Sequence, residues 1–124
     1  MADVAALVME YVDRYNSSDI DGMLACCTDD VVYETVHDAG AMRLTGKDEV
    51  REVLLGTIRA FLERRQEVVG LIVDGRRAAA ETVFSGIAAA KLNQDVGRGD
   101  PISARGAVIF ELKGDRFSRI SDYG

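Results

Sequence analysis

Long apolar runs, clustered basic residues and spaced cysteine pairs are all missing from this chain. No stretch approaches the ~20 apolar residues that a membrane-spanning helix needs. The N-terminal MADVAALVMEYVDRY carries acids and no basic leader, so no signal peptide is expected and the cytoplasm is the default location. Lys and Arg number 15 against 21 Asp and Glu, a formal net charge of -6. The basic pair Arg64-Arg65 reads as a solvated helix end. Such a diffuse acidic excess argues against nucleic acid as a partner, because phosphates need clustered cations. Cys26 and Cys27 are adjacent, so a disulfide between them would be strained, and with a single histidine they form no usual zinc set. They read as small hydrophobes on a helix. Neither a metal nor a cofactor is expected.

What is present is an ordinary globular mixture, 48% hydrophobic and 29% charged. A chain of 124 residues suits one domain, 1–124, burying roughly two thirds of its unfolded surface around one core. Val4, Leu7, Val8, Tyr11, Val12 and Tyr15 recur at helical spacing, with Asp3, Glu10, Asp13 and Arg14 between them. Ser18, with Asp21 three residues on, is the expected cap of a second, short helix carrying Ile20, Met23, Leu24 and Cys27. Val31 to Val36 is β-branched and aromatic and reads as a strand with Val31, Tyr33 and Thr35 on one face. His37 to Leu44 reads as irregular. A third helix is expected from a Thr45 cap, with Val50, Val53, Leu54, Ile58, Phe61 and Leu62 as its stripe.

After Val68 the period becomes that of strands. Val68 to Val73 and Arg77 to Leu92 flank Asp74-Gly75, read as a two-residue hairpin turn, and Gly86 is the expected bulge. A loop from Asn93 holds the only proline, Pro101. Ile102 to Leu112 and Arg116 to Tyr123 complete four successive strands. Helices first and strands later indicate α+β. A long, strongly bent, mostly antiparallel sheet wrapped on three helices makes a cone with a cavity between the layers.

This order, together with Tyr11-x7-Asp19-Ile20, Met23, Asp29-Asp30, Gly46-Lys47-Asp48-Glu49-Val50, Gly114-Asp115-Arg116-Phe117 and Ile120-Ser121-Asp122-Tyr123, resembles the nuclear transport factor 2-like superfamily. Its SnoaL-like and ketosteroid isomerase-like branch is the nearest in appearance. The resemblance implies a cystatin-like cone-shaped barrel and a homodimer formed through the convex sheet. It implies a small apolar molecule in the cone. Val83, Ile87, Val108 and Phe110 are the candidate interface side chains. The implied activity is cofactor-free acid-base chemistry on an apolar oxygenated substrate: isomerase, cyclase, dehydratase or hydrolase. The alternative is a non-catalytic ligand-binding or structural dimer module, because this fold hosts both.

Carried over residue by residue, the resemblance puts Tyr11 at the isomerases' oxyanion-hole tyrosine and Thr35 where their general base stands. It puts Arg105 near their second aspartate, while Asp122 resembles an aspartate of the limonene epoxide hydrolases and of the cyclases. The expected catalytic set is therefore Asp122, Arg105, Tyr11 and His37, and the expected substrate-binding set is Tyr15, Tyr33, Thr35, Phe61 and Phe84. Asp122 and Arg105 either meet inside the cone, where a buried pair must hydrogen-bond well, or form a cross-strand pair outside it. His37 is either a proton carrier at the mouth or an exposed loop residue, and Asp38 could orient it only on a neighbouring chain segment. Glu81 is expected on the convex face.

Overall fold

A computed structural model describes residues 3–37 and 40–124. Helix α1, Val4–Asn16, starts at Asp3, whose carboxylate accepts from the Ala6 N–H. Its apolar stripe buries Val4, Val8, Tyr11 and Val12. Helix α2, Ile20–Ala25, is capped by Asp19, which accepts from the Gly22 N–H, and not by Ser18. Ser18 lies in the left-handed region (φ 59°), where its N–H closes α1 on the Tyr15 carbonyl, so it lacks the extended backbone that a capping residue needs.

Strand β1, Cys27–His37, is longer than its β-branched centre implies. The stretch read as irregular holds a strand, β2, Gly40–Thr45, paired antiparallel to β1 from Val32↔Thr45 to His37↔Gly40. Gly40 (φ 137°) accommodates the re-entry of the chain. Asp38, proposed above to orient His37, lies outside the described residues. Thr45 ends β2 and therefore does not cap helix α3, Lys47–Arg59. Gly46 stands at that cap without a side-chain bond, and Asp48 and Glu49 in the first turn complement the helix dipole instead. Phe61 and Leu62 are not the end of the α3 stripe. They open β3, Phe61–Asp74.

Asp74 pairs with Arg77 at the start of β4, Arg77–Ala88, so the turn residues are Gly75 and Arg76, one place later than read. Gly86 marks close approach and not a bulge: the ladder passes it unshifted, and a Cβ there would lie 3.0 Å from the Glu63 carbonyl oxygen. The register shifts of this hairpin fall in β3, between Phe61 and Glu63 and between Val68 and Gly70. Strands β5, Pro101–Lys113, and β6, Arg116–Tyr123, follow. Among the described residues the sheet has six strands in the order β2-β1-β6-β5-β4-β3. It is antiparallel except where β1 and β6 run parallel.

The helices cover the concave face. Phe110, Phe117 and Tyr11 form the aromatic centre of the core, with ring centroids 4.7–5.9 Å apart. Cys26 and Cys27 are buried free thiols, but not on a helix as read: Cys26 follows the last residue of α2 and Cys27 opens β1, and burial pushes Cys27 up to about 12, which makes it unreactive. At the outer edge, Asn16 imitates a strand. Its Nδ2 donates to the Gln66 carbonyl at 2.9 Å, and its Oδ1 accepts from the Gln66 N–H at 2.8 Å. These bonds satisfy two backbone groups of edge strand β3 and tie it to α1. Asn16→Ala should lower stability by about 1–3 kcal/mol, read from the midpoint of urea unfolding, without altering helix content.

Candidate functional site

Alternation along the strands sorts the concave face into rungs. One rung runs Ala78, Phe110, Ile120, Tyr33, Leu44, and the next runs Ala80, Val108, Asp122, Thr35, Met42. Beyond these, Thr82 faces Gly106 across β4 and β5, and His37 faces Gly40 across β1 and β2. Between these rungs and the helices lies a cavity of about 370 Å³.

Asp122 reaches this cavity through a register shift. Opposite Leu112 and Glu111 stand Phe117 and Arg119, so Ser118 is an extra, bulged residue. Its hydroxyl donates to the Glu111 carbonyl at 3.2 Å. Phe117 and Ile120 are both buried in the core although three residues apart, which unbroken alternation forbids. The same shift turns Asp122 inward. A side chain on Gly106 would not fit beside it, because a Cβ there would come within 2.8 Å of the Tyr123 carbonyl oxygen.

Among the described residues Asp122 has no hydrogen-bond or ion-pair partner. Burial raises its carboxyl above the ordinary 3.8, and His37 acts in the opposite sense. Tyr11, Tyr15, Tyr33, Thr35 and His37 line the same cavity. Burial raises the phenols of Tyr11, Tyr15 and Tyr33 above 10.0, and the Asp122 charge adds to each. These tyrosines are therefore neutral hydrogen-bond donors. His37 is exposed at the rim. Tyr15 is held from behind by Arg64, whose guanidinium lies 4.5 Å from the ring centroid and donates to the Tyr15 carbonyl.

One expected member reaches this group only at the rim, and another does not join it. Arg105 opposes Val83 and alternates with Ala104 and Gly106, so it belongs to the ladder's other face. It nevertheless lines the cavity at its rim, where it is exposed, and makes no ion pair with Asp122. Phe61, misplaced in α3 by the sequence reading, lies outside the cavity lining. It packs edge-on against Phe84, which does line it, with centroids 5.0 Å apart. Val108 and Phe110, read as interface residues, are buried on the concave side. Glu81 is exposed on the convex side, as expected.

Gln66, Thr57, Thr82 and Met42 also line the cavity and were missed. Thr82 was legible, since it continues the alternation of Ala78 and Ala80. Gln66 and Met42 were hidden because strand β3 begins earlier than its apolar run and β2 was not recognised.

Three helices against a six-stranded, unclosed sheet, with a cavity between the layers, define a nuclear transport factor 2-like cone. The SnoaL-like domain profile matches residues 8–120, and the chain belongs to that family. Among curated proteins no sequence relative matches. Similar solved structures include AclR, a candidate hydroxylase from Streptomyces galilaeus, at 16% identity and a TM-score of 0.80, covering 97% of this chain and 86% of that one. A candidate polyketide cyclase from Pseudomonas putida is 22% identical with a TM-score of 0.79, covering 100% and 92%. An LEH-like epoxide hydrolase from M. tuberculosis is 18% identical with a TM-score of 0.75, covering 97% and 80%. At these identities the likeness concerns the fold.

Proposed function

We propose that this protein is a cofactor-free acid-base enzyme acting on an apolar oxygenated small molecule held in the cone. The observation that carries this reading is Asp122, the one side-chain carboxylate among the described lining residues, unpartnered and sharing the cavity with the phenols of Tyr11, Tyr15 and Tyr33. A carboxyl raised by burial is a better base and a better acid near neutrality than an exposed aspartate. Neutral phenols donate to an oxygen that gains charge in the transition state. Thr35 adds a hydroxyl beside the carboxylate, and His37 is placed to exchange protons with solvent at the rim.

The test is a panel of neutral enones, β-hydroxy ketones and epoxides incubated in deuterated water and followed by NMR. Isomerisation, dehydration, hydration or deuterium uptake is expected with the native protein and is lost in Asp122→Asn. Turnover of none of them, or turnover indifferent to that change, overturns the enzyme reading. Thr35, standing where the isomerases keep their general base, leaves Asp122 without a second side-chain carboxylate among the described lining residues, which favours the rival reading of a non-catalytic ligand-binding module.

A second copy of the chain is the proposed partner, through the convex sheet. Arg43, Glu34, Arg119, Glu111, Arg77 and Asp74, one from each strand, form a ladder of alternating sign. Arg119 bonds Glu34 at 2.7 Å and approaches Glu111 at 3.5 Å. Reversed about a two-fold axis, this six-member ladder sets opposite charges against each other throughout. Beside it runs an apolar row of Ile72, Ala79 and Ile109, with Ile72 72% exposed. A dimer is expected in sedimentation equilibrium at micromolar concentration, and Ile72→Asp should shift it to monomer. A monomeric native protein would end the proposal.

A further inference from the structure

The cavity carries a charge pattern that bears on what it can hold. Its one side-chain carboxylate among the described residues has no donor from the protein, so a bound molecule that displaces water from it is favoured when it presents one. Among the described residues the basic side chains of the lining, Arg105 and His37, are both exposed at its edge. Arg64 lies behind the Tyr15 ring, with its terminal nitrogens engaged by Ser18 and the Tyr15 carbonyl. Arg105 is exposed at the rim on the ladder's other face, and His37 is exposed at the mouth. An anionic ligand would thus lie near Asp122 without a partner. Aromatic rings supply much of the remaining wall: Tyr11, Tyr15, Tyr33, Phe84 and Phe110. Their π-systems attract cations, and a desolvated carboxylate does so more strongly. The chain's net charge of -6 adds a field that draws cations and repels anions.

We infer that the cone selects a hydrophobic protonated amine, its ammonium group on Asp122 and its apolar body against the aromatic wall. The inference rests on the reading of this cavity as the ligand site, but not on any reaction taking place there. It ranks three molecules of one shape. A protonated amine gains the charge-assisted hydrogen bond and the aromatic attraction, an alcohol gains only a neutral hydrogen bond, and a carboxylate is repelled.

Benzylamine, benzyl alcohol and benzoate make the comparison direct, titrated into the full chain at neutral pH and followed by saturation-transfer NMR and calorimetry. Benzylamine should bind about tenfold more tightly than benzyl alcohol, with benzoate weakest. In Asp122→Asn the amine should fall to the level of the alcohol, while alcohol binding persists and shows that the variant is folded. Equal binding of amine and alcohol by the native protein overturns the inference. So does benzoate matching the amine, an amine preference that survives in Asp122→Asn, or binding of none of the three at millimolar concentration. The outcomes separate from those of the catalytic test. Turnover of neutral carbonyl compounds without amine preference removes only this inference, and amine preference without turnover removes only the enzyme reading.

Discussion

Asp122→Asn should abolish most turnover, by roughly 10²–10⁴-fold, and at the same time make the folded protein more stable. The two effects share one cause. Burial raises the Asp122 carboxyl above its ordinary 3.8, so the folded chain holds this proton more tightly than the unfolded chain does. Stability therefore falls as pH rises from the unfolded value through the higher folded value, and the cost is complete above it. Asparagine keeps the shape and removes the charge. The stability difference between variant and native protein should be near zero in acid, grow across that interval and stay at about 1 kcal/mol at neutral pH, a usual size for relieving an active-site strain. Groups common to both proteins cancel in the difference. Urea unfolding at a series of pH values measures it, and a native protein that is the more stable one at neutral pH contradicts the placement of Asp122.

Phe110→Ala should be the most damaging single change to the fold, costing about 3–5 kcal/mol. Phe110 is 1% exposed, contacts the rings of Tyr11 and Phe117, and also borders the cavity. The loss is a large part of the ~5–15 kcal/mol that holds a domain of this kind together. Because Phe110 borders the cavity, the void left by its ring merges with it, so ligand binding should weaken as well. Phe110→Leu keeps much of the volume and should cost clearly less. Chemical denaturation of both variants gives the ranking, and equal losses would show that Phe110 acts through its ring contacts and not through its volume.

How far the sequence discloses this molecule depends on which residues carry the signal. The α1 stripe, with Asp3 before it, states both the helix and its buried face. Arg116 to Tyr123 marks β6 correctly, yet the alternation within it misleads, because Ser118 is an extra residue. The bulge fixes on which side Asp122 lies, and it is held by a hydroxyl–carbonyl bond across strands that no local pattern reveals. Arg105 was legible as a lining residue but not as a partner of Asp122, because alternation, not charge, decides its side of the ladder. Gly40 to Thr45 shows weak alternation, with only Leu44 partly packed on the core, so β2 was invisible until its partner in β1 was known. Phe61 and Leu62 fit a helical stripe and a strand equally well. The tyrosines and Thr35 were legible because a β-branched run of period two fixes the inner face of β1.

The position of β6 in the sheet has a kinetic consequence. This strand follows every other described strand in sequence and lies between β1 and β5, at the middle of the order. The β1–β2 hairpin and the β3–β4–β5 meander can each zip locally. No strand pairing joins them until β6 inserts, closing the loop between Glu34 and Ser121, 87 residues apart. Loop closure of that length must occur before the parallel pairing repays it, which places the slow step of folding there. Asp122 rides on that strand. The Asp122 carboxyl and the cavity walls around it therefore come together in the final assembly step, and a half-folded chain has no formed cavity.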